Sequence, residues 1–278
     1  MSITQKNIID DIKNLASKFN VTDESRLNNN WLPFKIDEIR ATLILNQWNS
    51  NEQLDQNWLT DLGTVDFHKV NVSDDVNVTY CGCPVSKAYI PQILNLTPKS
   101  PNQDLGIQMI SSLCGKNQYY NRPLSQWMMI PQSHTYSLFS FYSRINTALY
   151  VNKKVSQLRI VAILARPEDG FYIQSTPIAS GSIASGTDYI VKFGQVVYDS
   201  VVYDANDTFT GTSATTFSGA GSVYLENQKA VYRDTYPYPV SADMARQITL
   251  EILSKEFNIE KGQITDVRND SKDDIQKG

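Results

Sequence analysis

The sequence lacks the features by which membrane, secreted and disulfide-rich proteins are recognised. No stretch approaches the roughly 18 consecutive apolar residues of a membrane span, so none is predicted. The first residues lack the apolar segment of a secretory signal. Cysteine occurs three times, an odd number that gives no disulfide framework and is typical of a reducing compartment. We therefore expect a protein that is made in the cytoplasm.

Excess charge of one sign is also lacking. The chain has 25 Lys+Arg against 29 Asp+Glu, a net charge of -4, and its charged fraction is 19%. This composition excludes the strongly basic surface that nucleic-acid-binding domains display. Tyrosine (15 residues) outnumbers phenylalanine (10 residues), so much of the surface is predicted to be polar without being charged. Such a surface suits contacts with other proteins.

Three groups of residues match a chemical site only in part. His68 and Asp66 share one face of a predicted strand, but no nucleophile motif such as G-x-S-x-G accompanies either histidine of the chain. Cys81 and Cys83 are close in sequence, yet only Cys114 remains to complete a zinc site. The sequence has no P-loop and no G-x-G-x-x-G, and its acidic tail lacks calcium-loop spacing. We predict no catalytic residue, no cofactor and no metal ion.

Apolar spacing predicts two helices at the start of the chain. A second helix begins close to Trp31, because Pro33 is tolerated only in a first helical turn. We expect the two helices to be antiparallel and joined by a short connection. The first helix covers residues 5–19, and its buried face steps by four, three and four residues: Ile8, Ile12, Leu15 and Phe19. The second carries a stripe of Leu32, Ile36, Ile39 and Leu43.

The middle of the chain alternates apolar and polar residues, which predicts strands that begin with Val65, Phe67, Val70, Val72, Val76, Val78 and Tyr80. Strand candidates include residues 158–164 and 189–203, the latter beside a local repeat of Val-Val-Tyr-Asp at 196–199 and 201–204. The stretch 89–150 predicts mixed strand and loop, with one candidate helix over 137–150. The small, polar run 208–222 predicts a mobile loop or hairpin tip.

A further helix is predicted near the end of the chain. Ser241 can cap it, and Met244, Ile248 and Ile252 form its apolar stripe. The residues from Asn258 onward lack periodicity and are predicted to be extended or disordered. Since the termini of a domain often lie close together, we expect this helix to pack on the N-terminal pair.

These patterns predict an α+β protein. Its β-rich central body, a sandwich or barrel-like arrangement, is bracketed by an N-terminal helix pair and a C-terminal helix. The predicted boundaries are 1–60 for the N-terminal helical segment, 61–235 for the β-rich body, and 236–278 for the C-terminal helix and extended tail.

Both ends of the chain resemble virion proteins of crAss-like and related tailed bacteriophages. Residues 23–27 (Asp-Glu-Ser-Arg-Leu) and 35–44 (Lys-Ile-Asp-Glu-Ile-Arg-Ala-Thr-Leu-Ile) are similar to an N-terminal segment in which D-[DES]-S-R-[IL] precedes K-I-x-x-x-R-A-x-[FL]-I. Tyr238-Pro239, the helix after them, and residues 266–270 are also similar to that group. The β-rich body resembles it only in general character.

The resemblance implies a structural, non-enzymatic ring protein of the neck or tail of a short-tailed phage. It implies a closed homo-oligomer, a dodecamer, that lies below the portal and contacts the portal and other neck and tail ring proteins. DNA would pass through this head-tail connector during ejection without sequence-specific binding. The chain would assemble in the host cytoplasm and reside in the virion.

Four charged residues of the N-terminal segment are candidate subunit contacts: Arg26, Lys35, Glu38 and Arg40. Arginine presents rigid paired donors that suit a carboxylate on an adjacent helix, within one subunit or between two. The alternative is a set of solvated helix faces, on which each exposed ion pair contributes only about 0–1 kcal/mol.

Two other functions stay open. One is a carbohydrate-binding or polysaccharide-degrading β-sandwich, which requires two close carboxylates or an exposed aromatic platform. Candidates for the platform are Tyr119-Tyr120, Trp127 and Tyr236-Pro237-Tyr238, although aromatic residues are more often core or interface. The other is an assembly chaperone.

Overall fold

The computed structural model describes residues 2–19, 31–51, 55–70, 86–96, 106–129, 139–178, 186–198, 200–204, 207–211, 217–218 and 221–259. It has helices at the N-terminus, a β-rich middle and a C-terminal helix, so the predicted α+β class is confirmed. The chain divides into two compact units, Met1–Trp58 with Val231–Gly278 and Leu59–Ala230. No helix among the described residues has the length and apolar character needed to cross a membrane.

The helices are α1 (Gln5–Lys18), α2 (Trp31–Asn51), α3 (Pro167–Gln174), α4 (Gln228–Thr235) and α5 (Ala242–Glu256). The strands are β1 (Thr60–Asp66), β2 (His68–Lys69), β3 (Ser86–Tyr89), β4 (Ile107–Ser111), β5 (Tyr119–Asn121), β6 (Ser140–Ile145), β7 (Ala148–Val151), β8 (Gln157–Ala162), β9 (Thr187–Lys192), β10 (Val196–Tyr198), β11 (Val201–Tyr203), β12 (Thr208–Gly211) and β13 (Ser222–Leu225). Two 3-10 helices, Gln56–Trp58 and Leu124–Met129, complete the described elements.

The helical unit is built from α1, α2 and α5. A capping box opens α1, where Thr4 Oγ1 accepts from the Asn7 backbone N–H and Asn7 Oδ1 accepts from the Thr4 N–H. The hydroxyl of Ser241 accepts from the Met244 N–H at 3.2 Å and caps α5, as predicted. Helix α5 contacts both α1 and α2, which confirms that the C-terminal helix packs on the N-terminal pair.

The described residues of the β unit form four sheets. One is antiparallel in the order β1-β8-β4, and another has the order β2-β3-β7-β6-β5, in which only β5 and β6 are parallel. These two sheets share one hydrophobic core. The remaining sheets are β12-β9-β13 and the hairpin β10-β11, which share a second core. The predicted strands at 158–164 and 189–203 are confirmed as β8 to β11.

The candidate helix over 137–150 was wrong for the described residues of that range. Residues 139–150 form β6 and part of β7, joined by a two-residue turn in which Asn146 has φ +54°. Asparagine tolerates this left-handed conformation, which reverses the chain and cannot continue a helix.

The predicted loop at 208–222 begins with β12 and ends at the first residue of β13, so its described ends are strands. Sequence patterns also did not predict α3 or α4. Several predicted features lie outside the described residues: the strand residues Val72, Val76, Val78 and Tyr80, and the tail from residue 260 onward.

Candidate functional site

Two of the four candidate contact residues lie on the accessible side of α2. Lys35 Nζ lies 2.9 Å from Glu38 Oε2 and 3.4 Å from Glu256 Oε1 on α5. The hydrogen bond to Glu38 raises the pKa of Lys35 above its ordinary value, and Glu256 adds to the rise. Lys35 therefore remains charged and bridges two helices of its own chain, while the Glu38 side chain is 51% exposed. Arg26, the third candidate, lies outside the described residues.

Arg40, the fourth candidate, is fully buried. The buried stripe of α2 advances by four residues at each step, and Arg40 occupies its centre: Leu32, Ile36, Arg40, Ile44 and Trp48. Ile39 and Leu43, which apolar spacing placed on the stripe, are only half-buried. The arginine thus takes a core position that the hydrophobic pattern assigned to its apolar neighbours.

Backbone carbonyl groups bind the Arg40 guanidinium. Its Nε donates to the Pro239 carbonyl at 3.1 Å, and its Nη2 donates to the Trp58 carbonyl at 3.3 Å. The guanidinium carbon lies 5.8 Å from the centre of the Tyr238 ring, within cation–π range. One side chain therefore ties α2 to the segment that precedes α5 and to the end of the 3-10 helix before β1.

Tyr238 forms a second link between the same segments. Its hydroxyl donates to Asp37 Oδ1 at 2.6 Å. Burial raises the pKa of Tyr238 well above its ordinary range, and the negative charge of Asp37 raises it further, so the hydroxyl stays a donor. The Tyr238 N–H also donates to the Ile3 carbonyl at 2.7 Å, beside a bridge between Thr4 and Pro237. The residues before α5 are thus held by both α2 and the chain's first residues.

The β unit contains a buried charge cluster of its own. Lys192, on β9, is 2% exposed, and its Nζ lies 2.8 Å from Asp169 Oδ1 and 3.4 Å from Glu168 Oε1. The same Nζ lies 4.8 Å from the centre of the Tyr172 ring. Because both acids belong to the first turn of α3, this cluster docks α3 on β9.

Sequence reasoning missed the Lys192 cluster, although one signal for α3 was present. Pro167 followed by Glu168 and Asp169 is a helix-start pattern, with proline in the first turn and acids at the positive end of the dipole. The pairing of these acids with a lysine on a strand has no local sequence signature.

A cleft of about 180 Å³ lies in the β unit. It brings Asp66 and His68 together, as strand alternation predicted, and Asp66 Oδ1 accepts from Gln157 Nε2 at 2.8 Å. Ser175 and Ser222 also line it. Within the described residues, His68 makes no hydrogen bond to a serine, and no group of three His, Cys, Asp or Glu is placed to hold a metal ion. His134, Cys81 and Cys83 lie outside the described residues.

The aromatic residues considered as a ligand platform are mostly in the core. Trp127 is fully buried, and Tyr119 and Tyr238 are 8% and 3% exposed. Trp127 Nε1 donates to the Arg122 carbonyl at 3.0 Å, which fixes the indole inside the unit. Tyr120 is 53% exposed, and Tyr236 is half-buried. The core interpretation of Tyr119, Trp127 and Tyr238 is therefore confirmed.

Comparison with known protein families finds a match. The family model described as phage tail ring protein 2 matches residues 7–275, nearly the whole chain. No curated protein matches the chain. The likeness to phage ring proteins at the two ends of the sequence thus extends through the β-rich body.

Proposed function

Since the chain belongs to the phage tail ring protein 2 family of crAss-like phages, we propose that it closes into a homo-oligomeric ring in the neck or tail of the virion. Membership of this family identifies the chain as a structural component of the phage tail. We further propose that the ring lies below the portal, contacts neighbouring ring proteins and surrounds the channel through which DNA is ejected. The family match across residues 7–275 is the observation that carries this proposal.

The exposed apolar side chains fit a ring assembly. A closed ring of identical subunits uses two different, complementary surfaces on each copy. Large apolar side chains that are about half exposed or more occur in both units, as isolated residues and as a neighbouring pair: Phe34, Leu113, Tyr120, Phe139, Val201, Val202 and Val231. Burying such surface between copies is favourable, at about 25 cal/mol per Å² of apolar area.

We also propose that the accessible face of α2 contacts a neighbouring subunit. Phe34 is 57% exposed and lies one helical turn before Glu38, so an apolar and an acidic side chain share one face. Lys35 lies beside them, and Arg26 precedes the helix. Arg40 supports this face from inside, because it fixes α2 against the segment before α5.

Two measurements test the ring. Native mass spectrometry of the purified full chain gives the subunit number, for which the dodecamer implied by the resemblance is expected. A mass-resolved inventory of intact virions is expected to contain this chain in the same stoichiometry. A chain that is monomeric at every concentration and absent from virions contradicts the proposal, and a monomer that degrades polysaccharide supports the enzyme alternative instead.

A further inference from the structure

Charge is segregated along the sequence of the β unit. Between Asp75 and Glu168 the chain has nine lysine and arginine residues but a single acidic residue, Asp104. Between Lys192 and Lys229 it has four acidic residues and neither lysine nor arginine. The net charge of -4 therefore hides a basic stretch and an acidic stretch within one compact unit. Opposite charges on the same chain allow one copy to attract another.

The basic stretch carries an exposed aromatic patch on the face of β5 and β6. Tyr120 lies opposite Phe141 in the pairing of these strands, so the two side chains share one face. The Phe139 ring centre lies 6.3 Å from that of Phe141, and the Arg122 guanidinium carbon lies 5.9 Å from it. Phe141 is buried, whereas Tyr120 and Phe139 are 53% and 46% exposed. We call Tyr120, Arg122 and Phe139 the β5 patch.

Arg122 gives the β5 patch a positive charge without an acidic partner. Its Nη1 donates to the neutral Gln126 Oε1 at 3.4 Å. No carboxylate of the described residues lies within 4.0 Å of its guanidinium group. Exposed aromatic side chains beside an arginine are the combination in which protein interfaces are enriched. The β5 patch is therefore suited to a partner that is apolar and acidic.

The acidic stretch carries such a surface on the hairpin β10-β11. Val202 lies opposite Val197 and is 56% exposed. Asp204 follows two residues later on the same face, where its Oδ1 accepts from Gln195 Nε2. The Asp204 N–H donates to Asp207 Oδ2 at 2.7 Å, which brings a second carboxylate beside the first. We call Val202, Asp204 and Asp207 the β11 patch, and no lysine or arginine in the described part of the chain lies within 4.0 Å of its carboxylates.

We propose that the β11 patch of one copy docks on the β5 patch of the next copy. Val202 then covers Tyr120 and Phe139, and the two carboxylates of the β11 patch pair with Arg122. This inference rests on the proposed ring function and names its subunit contact. The occupant of each patch is a second copy of this chain, because the two patches belong to one sequence and carry opposite charges beside apolar surface.

The spacing of the two patches matches as well as their charge. In each, the charged residue follows the exposed apolar residue by two positions on an extended strand, as in Tyr120 and Arg122 or Val202 and Asp204. Apolar and charged groups are thus separated by similar distances in both. Carboxylate and guanidinium form strong, charge-assisted hydrogen bonds. As the two patches differ, the contact is head-to-tail, the kind that generates rings.

Charge reversal in each patch tests the contact. One variant is Arg122→Glu and the other is Asp204→Lys/Asp207→Asn, in which Asp207→Asn keeps a side-chain oxygen to accept from the N–H of residue 204. In each variant alone, like charges meet at every contact, so each is expected to lose the ring in native mass spectrometry. An equimolar mixture is expected to regain it, with the two variants alternating, because every contact then joins opposite charges.

Substitutions of the apolar residues test the same contact independently. Val202→Lys and Tyr120→Lys are each expected to lose the ring, because both side chains are exposed in the single copy and covered in the contact. Val201→Lys is the matched control and is expected to keep the ring. Val201 is 51% exposed on the same strand, but it lies opposite Tyr198 on the other face of the hairpin. Thermal unfolding identifies any variant that fails to fold.

The outcomes separate this contact from the ring function. Rings formed by either charge-reversal variant alone, or a mixture of folded variants that stays monomeric, overturn the docking of the two patches while the wild-type ring stands. Binding of DNA by the β5 patch is the competing outcome: an Arg122→Glu ring that assembles normally but binds a labelled DNA duplex more weakly overturns the proposal. A wild-type chain that never self-associates overturns the ring function, and this contact with it.

Discussion

Arg40 shows how a charged residue can occupy the core when backbone carbonyls surround it. A buried cation is costly to desolvate, and hydrogen bonds to carbonyl dipoles offset part of that cost. Here the acceptors are Pro239 and Trp58, at segment ends where helical hydrogen bonding is incomplete. Arginine suits this role because its planar fork serves several acceptors at once.

Replacing Arg40 by methionine is expected to lower the free energy of unfolding by about 3 kcal/mol. The change leaves the Pro239 and Trp58 carbonyls without this donor, and each buried unsatisfied group costs about 1–3 kcal/mol. Urea denaturation of the full chain measures the difference. Lys35→Met is the matched control and is expected to cost only about 0–1 kcal/mol, because its ion pairs are more accessible. Equal losses in the two variants would contradict the structural role of Arg40.

Replacing Lys192 by methionine is expected to destabilise the β unit by about 3–5 kcal/mol, because Asp169 keeps an uncompensated buried charge. Adding Asp169→Leu removes that charge, so the double variant is expected to recover most of the loss. The two variants are compared by urea denaturation monitored by circular dichroism. A double variant less stable than Lys192→Met would contradict the explanation that the unpaired charge of Asp169 causes the loss.

Among the elements, β1 contains a bulge whose geometry requires a special residue. The register with β8 shifts between Asp61 and Gly63, and Gly63 has φ +67°. Asp61 Oδ1 accepts from the Gly63 N–H at 2.9 Å and fixes the kink. An added Cβ at Gly63 would have no neighbour within 4 Å, so only the backbone conformation disfavours a side chain there.

Gly63→Ala is therefore expected to cost about 1–2 kcal/mol, the strain of one alanine in the left-handed region. Gly63→Asn is expected to cost less, because asparagine tolerates this conformation. Gly170→Ala tests a different cause of destabilisation, steric overlap. Its Cβ would lie 2.9 Å from side-chain atoms of Leu164 and Thr60. Thermal unfolding ranks the variants, and an asparagine variant less stable than the alanine variant would contradict the backbone explanation.

The elements that sequence patterns predicted are those with strong local signals. Helix α5 has a serine cap and a regular apolar stripe, and β8 has a short buried run, so both could be located. The pattern failed where tertiary contacts decide the structure. Residues 139–150 are rich in aromatic and β-branched residues whose pairing partners are distant in sequence, and α3 depends on Lys192 of β9.

The candidate site was predicted less completely than the fold. Lys35 and Glu38 were predicted as candidate subunit contacts, and the structure adds that Lys35 pairs with both Glu38 and Glu256 of its own chain. The carbonyl partners of Arg40 could not be predicted, because Pro239 lies 199 residues away and a carbonyl acceptor has no side-chain signature.

At the scale of the whole molecule, the helical unit is assembled from both ends of the chain, whereas the β unit is continuous. Helices α1 and α2 each contact α5, whose Ile248 and Ile252 are fully buried. Without residues 231–278, the apolar stripes of α1 and α2 would lose this cover, and the Arg40 guanidinium would lose the Pro239 carbonyl.

This asymmetry predicts how the chain behaves when it is cut at the unit boundaries. The fragment 59–230 contains a complete set of sheet partners and is expected to unfold cooperatively by itself, with a β-rich circular dichroism spectrum. The fragment 1–58 is expected to remain largely unfolded alone, since isolated short helices are marginal in water, and to gain helix when the fragment 231–278 is added. Titration followed by far-ultraviolet circular dichroism measures that gain. An Arg40→Met form of the fragment 1–58 is expected to bind the fragment 231–278 about tenfold or more weakly, which is equivalent to about 1.4 kcal/mol. A fragment 1–58 that is already helical and insensitive to 231–278 would show that the N-terminal pair is stable without the C-terminal helix.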